Sequence, residues 1–208
     1  MQTLIINAQP DLSSADHFST KLQELFLAKF TAQFPDDKPT ILNLYDTQIP
    51  RIEAGQLLDV WNQADLATDT AALAQVSAEL LAQFKAHHRI VIVSPLHNFN
   101  VTSRMKDYLD NILIARETFK YTAVGSVGLM TDDYKVLLLQ ASGSIYTNND
   151  RYTSLDISRF YLQKMFEEIM GFDQFYIARA QGTATLAANQ VLAAAAAELD
   201  QAFAQFYV

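Results

Sequence analysis

Five short, almost unbroken apolar runs constrain this chain more than any other feature: Thr3 to Ala8, Thr40 to Tyr45, Arg89 to Pro95, Lys135 to Ser142 and Gln174 to Ala180. Apolar runs without alternation suit strands covered on both faces, the condition of a parallel sheet. Each is followed by enough chain for a crossover helix. Phe18, Leu22, Leu25, Phe26, Phe30 and Phe34 recur at spacings of three and four, which predicts a helix over residues 17 to 34. Further helices are predicted over Thr70 to Ala86, Ser103 to Arg116, Ser154 to Met170 and Thr185 to Tyr207. The resulting βαβαβαβαβα order predicts one α/β domain spanning residues 1–208, with a five-stranded parallel sheet between two helical layers. Ligands of such sheets bind at the carboxyl ends of the strands, here expected after strands one, three and four. Residues 46 to 69, which include Pro50 and Gly55 and follow no period, are expected to form a long connection.

Composition narrows the function. At 208 residues and 50% hydrophobic, the chain can bury one substantial core. It has no cysteine, so thiolate chemistry, disulfides and cysteine metal sites are excluded. A net charge of −8 argues against nucleic acid as a partner, because phosphate binding needs clustered Lys and Arg. The start "MQTLIINAQPDL" lacks a basic leader, and no apolar stretch approaches membrane-spanning length, so a cytoplasmic protein with no membrane partner is expected. The adjacent His87 and His88 point to opposite sides and predict no metal site.

The three strand ends are polar in different ways. Asn7 to Asp16 lead into a helix start, where Ser13 and Ser14 would add hydroxyl donors to unpaired backbone N–H groups, a combination suited to a phosphate monoester. The second end reads "SPLHNFN". Pro95 presets φ and can hold the amides of Leu96, His97, Asn98 and Phe99 facing outward, towards the edge of a flat heterocycle. The third, "QASGSIYTNN", sets Gly143 between Ser142 and Ser144. None of the three carries a G-x-G-x-x-G, a P-loop or a G-x-S-x-G elbow.

The block "SPLHNFNVTSRMKDYLDNILIARETFKYT", followed by "GSVGLM", "KVLLLQASGSIY" and "FEEIMGF", resembles the FMN-dependent NADH azoreductases, flavodoxin-like quinone reductases. The resemblance implies a flavodoxin-like fold, FMN as cofactor, and a ping-pong transfer of two electrons from NADH to a quinone or an azo compound, with no side-chain acid or base. It also implies a homodimer. Residue by residue, it gives Pro95, Leu96, His97, Asn98 and Phe99 as the loop along the isoalloxazine and Ser13 and Ser14 as the phosphate site. Ser142, Gly143, Ser144 and Tyr146 would form the second flavin loop. Phe99, Phe119 and Tyr121 would line the substrate pocket, with Phe166 reaching the partner's site. The chain departs from the pattern at His97, where relatives have Tyr or Trp, and at Ser144, where they have glycine. The helix after strand three adds Tyr108, Leu109, Ile112 and Leu113, more apolar bulk than one face is expected to bury, which favours the dimer. An electron-carrying flavodoxin without small-molecule turnover is the alternative reading of the same fold.

Overall fold

The computed structural model describes residues 2–51 and 68–208. The connection expected over 46 to 69 therefore lies largely outside the described residues. The elements run β1 (Thr3–Asn7), α1 (Phe18–Gln33), β2 (Thr40–Asn43), α2 (Thr68–Lys85), β3 (Arg89–Pro95), α3 (Ser103–Ile112), β4 (Phe119–Thr122), β5 (Gly125–Gly128) and β6 (Lys135–Ser142). A 3-10 turn (Thr153–Leu155) then leads into α4 (Ile157–Gln163), which continues as a π-helical stretch (Lys164–Met170) before β7 (Gln174–Gln181) and α5 (Ala188–Phe206).

All five predicted strands pair in parallel, in the order β2-β1-β3-β6-β7. Alternate residues of each strand feed opposite faces, so the sheet separates two apolar layers. Leu4, Ile6, Ile90, Ile92, Val136 and Leu138 meet α2, α3 and the α4 segment through Phe84, Tyr108 and Leu162. Ile5, Val91, Val93, Leu137 and Leu139 meet α1 and α5 through Phe26, Phe30 and Phe203. Full burial of a side chain such as Phe30 contributes about 1.5–3 kcal/mol, and its rings stack along α1 and α5 with centroids 5.2 Å from Phe34 and 6.0 Å from Tyr207.

Three expectations change. The antiparallel hairpin β4–β5, outside the main sheet, had no counterpart in the sequence reading. It is fixed where Gly128 meets Gly171: a Cβ on Gly128 would sit 2.4 Å from the Gly171 nitrogen. Second, Tyr108, Leu109 and Ile112 are buried in the chain's own core, so they offer nothing to a second subunit. Third, Phe166 is fully buried against Phe84 (6.1 Å) and Phe172 (5.0 Å), so it packs the core and does not reach outward to a partner. Leu162, Phe166 and Met170 recur every fourth residue on the buried face of this segment, which explains it.

Candidate functional site

Strand order reverses between β1 and β3, which brings the loops after β1, β3 and β6 together at one end of the sheet. A cavity of about 450 Å³ opens there, walled by Pro10, Asp16–Ser19, Pro95, Leu96, Ser142, Gly143 and Thr183.

The loop after β6 is built from the backbone. The carbonyls of Ser142, Gly143 and Ser144 accept hydrogen bonds from Thr183 N (3.1 Å), Ala184 N (3.2 Å) and Gly182 N (3.1 Å). A trans peptide points its N–H opposite its carbonyl, so the amides of Gly143, Ser144 and Ile145 are turned away from residues 182–184. They have no acceptor among the described residues. Ser142 adds Oγ to the Ser144 carbonyl at 2.9 Å. Gly182 permits the clamp by taking φ +78, and a Cβ there would approach Leu186 Cδ1 at 2.9 Å. Tyr146 folds under the loop, its amide held by Gln181 Oε1 at 2.9 Å, and burial pushes its hydroxyl above the usual tyrosine range.

The "SPLHNFN" segment is a tight reversal. His97 and Asn100 exchange backbone hydrogen bonds (3.0 and 2.9 Å), with Asn98 at φ +46 and Phe99 at φ +64 between them. Two consecutive left-handed residues match the primed hairpin turn that normally takes Asn-Gly, and an aromatic residue there is strained. Not all four amides face out. Leu96 N is bound to Ala141 O at 2.8 Å and His97 N to Asn100 O, which leaves Asn98 and Phe99 as the donors without an acceptor among the described residues. The Phe99 ring is 43% exposed. Of the segment, only Pro95 and Leu96 wall the cavity.

The loop after β1 corrects the sequence reading most. Ser13 and Ser14 lie outside the cavity wall and bond locally: Ser13 N and Oγ donate to Asp11 Oδ1 (2.9 and 2.6 Å), and Ser14 Oγ accepts from Asp16 N. Asp11 Oδ2 meets His17 Nε2 at 2.9 Å. The Ser13 hydroxyl first, then His17, hold the Asp11 carboxyl down to about 2. The cavity wall is instead the start of α1. His17 is the N-cap residue without a side-chain cap bond, so the amides of Phe18, Ser19 and Thr20 keep their free N–H groups. Buried Ser19 donates to Gln9 Oε1 at 2.8 Å, and Gln9 N in turn binds Asn7 Oδ1 at 2.9 Å, which fixes this helix start against β1. On the other side, Thr102 Oγ1 bridges Ala8 O and the first turn of α3.

Phe119 and Tyr121 pair edge to face at 5.3 Å on the β4–β5 hairpin, Phe119 buried and Tyr121 75% exposed, and neither walls the cavity. Sequence reasoning missed Gln9, His17, Phe18, Ser19 and the Gly182–Ala184 segment. The first residues of the predicted helix over 17 to 34 were the usable signal for His17 and Phe18, since helix starts bind anions through their backbone.

A parallel sheet of this order, with loops of free backbone donors gathered where the order reverses, defines a flavodoxin-like protein. The family model described as a flavodoxin-like fold matches residues 1–203, and the chain belongs to that family. It is 56% identical to an FMN-dependent NADH:quinone oxidoreductase of Lactiplantibacillus plantarum, over 99% of each chain. Identity to the enzyme of that name from Streptococcus agalactiae is 47%, covering 100% of this chain and 99% of the other. A crystal structure of an FMN-dependent NADH-azoreductase from Bacillus anthracis in complex with FMN superposes with a TM-score of 0.91 at 43% identity, over 98% of both chains.

Proposed function

We infer that the protein is an FMN-dependent NADH:quinone oxidoreductase that also reduces azo compounds. The observation that carries this reading is the Ser142–Ile145 loop, whose three carbonyls are tied to Gly182–Ala184 so that three amides are left to a ligand. A cavity of about 450 Å³ is of ligand size. Its donors are sorted as FMN requires: a helix start for the phosphate and backbone amides for the ring. When bound, FMN supplies the two-electron chemistry, accepting a hydride from NADH and passing it to a quinone or an azo bond.

The chain's own residues bind, orient and exclude. The amides of Phe18 and Ser19 receive the phosphate, with Asp11 holding His17 beside them. Gly143, Ser144 and Ile145 N–H groups face the polar edge of the ring, where fixed dipoles stabilise negative charge at no cost in reorganisation. Asn98 and Phe99 offer the remaining donors, and Pro95 to Phe99 run along the ring. Phe99 and Tyr121 cover a flat substrate, with buried Phe119 backing Tyr121, and Tyr146 supports the loop from beneath. No side-chain acid or base is assigned.

Residues 1–208 act as one FMN-binding domain in the cytoplasm. Among the described residues no helix is long and apolar enough to cross a membrane. The protein works as a homodimer, and its surface is centred on the apolar groove of about 340 Å³ lined by Val101, Ile157 and Tyr161, where Ile157 is 43% exposed. The electron-carrier alternative loses support to the relatives, which are named for NADH:quinone turnover.

The test is the flavin absorbance of protein supplied with FMN under nitrogen. The expected result is bands that bleach with NADH and return with a quinone over many turnovers, with parallel double-reciprocal plots. Protein that binds no FMN would overturn the reading, and flavin that NADH cannot bleach would favour the electron carrier.

A further inference from the structure

Beyond the second loop lies a separate cavity of about 390 Å³ whose wall carries two guanidiniums, Arg159 at the start of α4 and Arg179 on β7. In a chain of net charge −8 this is an unusual concentration of positive charge in one hollow. Neither cation is saturated. Arg159 Nη1 donates to the neutral Gln163 Oε1 at 3.0 Å. Arg179 Nη1 approaches Glu198 Oε2 only to 3.7 Å, and its buried Nε has no acceptor among the described residues. A guanidinium carries five N–H donors, so both arginines keep Nη donors that no hydrogen bond among the described residues takes up.

Asp156, on the same wall, offsets one of the two positive charges with its carboxylate. Its Oδ1 takes Gln140 Nε2 at 3.0 Å and Arg159 N at 3.1 Å, so it anchors the start of α4 to β6. Burial pulls Arg179 below the ordinary arginine range, Glu198 and Asp156 push it back up, and Arg159 repels it. Two like charges facing one hollow, with donors to spare, are satisfied together by a group presenting several acceptor oxygens.

The position suits a substrate. Tyr146 forms part of this wall, and Gly143, three residues earlier, walls the flavin cavity. Three residues span at most about 11 Å, so the two cavities flank one loop. The exposed Phe160 ring lies at the same wall, an apolar surface for a flat group.

We propose that the Arg159–Arg179 cavity receives an oxyanion carried by a substrate, either a phosphate of the dinucleotide reductant or a sulfonate of an acidic acceptor. The proposal rests on the flavin enzyme reading. It makes this cavity a specificity pocket for charged substrates.

The test uses the FMN-loaded protein and two KM ratios: NADH against the uncharged 1-benzyl-1,4-dihydronicotinamide, and a sulfonated against an unsulfonated naphthoquinone. Loss of one charge-assisted contact in R159Q is expected to raise one ratio about tenfold, with R159K recovering part of it. A rise in the first ratio names the reductant as the source, and a rise in the second names the acceptor. Inorganic pyrophosphate should compete with NADH in the first case, and compete less well in R159Q. R179Q repeats the test from β7, and R159Q stands alone if R179Q does not fold. Both ratios unchanged in a variant that keeps its flavin would overturn the proposal. Failure of the flavin reading is distinct, because then neither reductant would bleach the unsubstituted protein.

Discussion

The two loops that meet at the flavin cavity are held in opposite ways. The Ser142–Ile145 loop is clamped by backbone hydrogen bonds to Gly182–Ala184, just beyond the carboxyl ends of the parallel pair β6 and β7. The Asp11–His17 loop is tied by side chains, Asp11 to Ser13 and His17, all in contact with solvent. Backbone clamps lose little to salt or pH, whereas exposed charge pairs contribute little and are screened. The ring end of the site is therefore set by the backbone, and the phosphate end joins a helix start fixed by Ser19, Gln9 and Asn7 to an adjustable Asp11–His17 loop.

The largest effect is expected from G182A. Placing alanine at φ +78 costs about 1–2 kcal/mol, and the displaced clamp should release FMN and riboflavin alike. Thermal melting and flavin titration check this. Equal binding of both flavins by G182A and the unsubstituted chain would remove the contrast between the loops.

F99G comes next. Phe99 sits at φ +64, so glycine should relieve about 1 kcal/mol of strain and raise Tm by a few degrees, while turnover falls as aromatic cover is lost. A variant both more stable and fully active would show that the strain serves nothing.

D11N should act at one end only. It frees His17 and Ser13, and an exposed pair of this kind is worth at most about fivefold in FMN affinity, with riboflavin binding unaltered. Fluorescence titration with the two flavins reads the difference.

The smallest effect is in acid. The Asp11 carboxyl lies below its unfolded value of 3.8, at about 2, so its contribution is complete above 3.8 and disappears as pH falls through about 2. Its carboxyl carbon resonance should titrate with that low midpoint, and S13A, which removes the largest cause, should raise it.

The sheet was legible because each strand is a buried apolar run, and the periodicity of α1 placed its start within one residue of Phe18. The hairpin was not: Phe119–Thr122 and Gly125–Gly128 are short, exposed and glycine-flanked, and their place depends on Gly128 meeting Gly171 across the fold. At the phosphate end the helix start was legible, but the serines drew attention away from the amides of Phe18 and Ser19, which wall the cavity. The clamp on Ser142–Ser144 was equally hidden, because Gly182–Ala184 become its partners only when β6 and β7 are neighbours. The outward role of Phe166 came from the resemblance alone, whereas its spacing of four from Leu162 and Met170 marks the buried face.

The most direct measurement is an amide-resolved NMR titration of the apo protein with FMN. If backbone donors at these two loops hold the flavin, the largest shifts fall on Gly143, Ser144 and Ile145, on Asn98 and Phe99, and on Phe18 and Ser19, with riboflavin sparing the last pair. Shifts confined to the β4–β5 hairpin, or spread over Ser13 and Ser14 with the Gly143 amide unmoved, would contradict it.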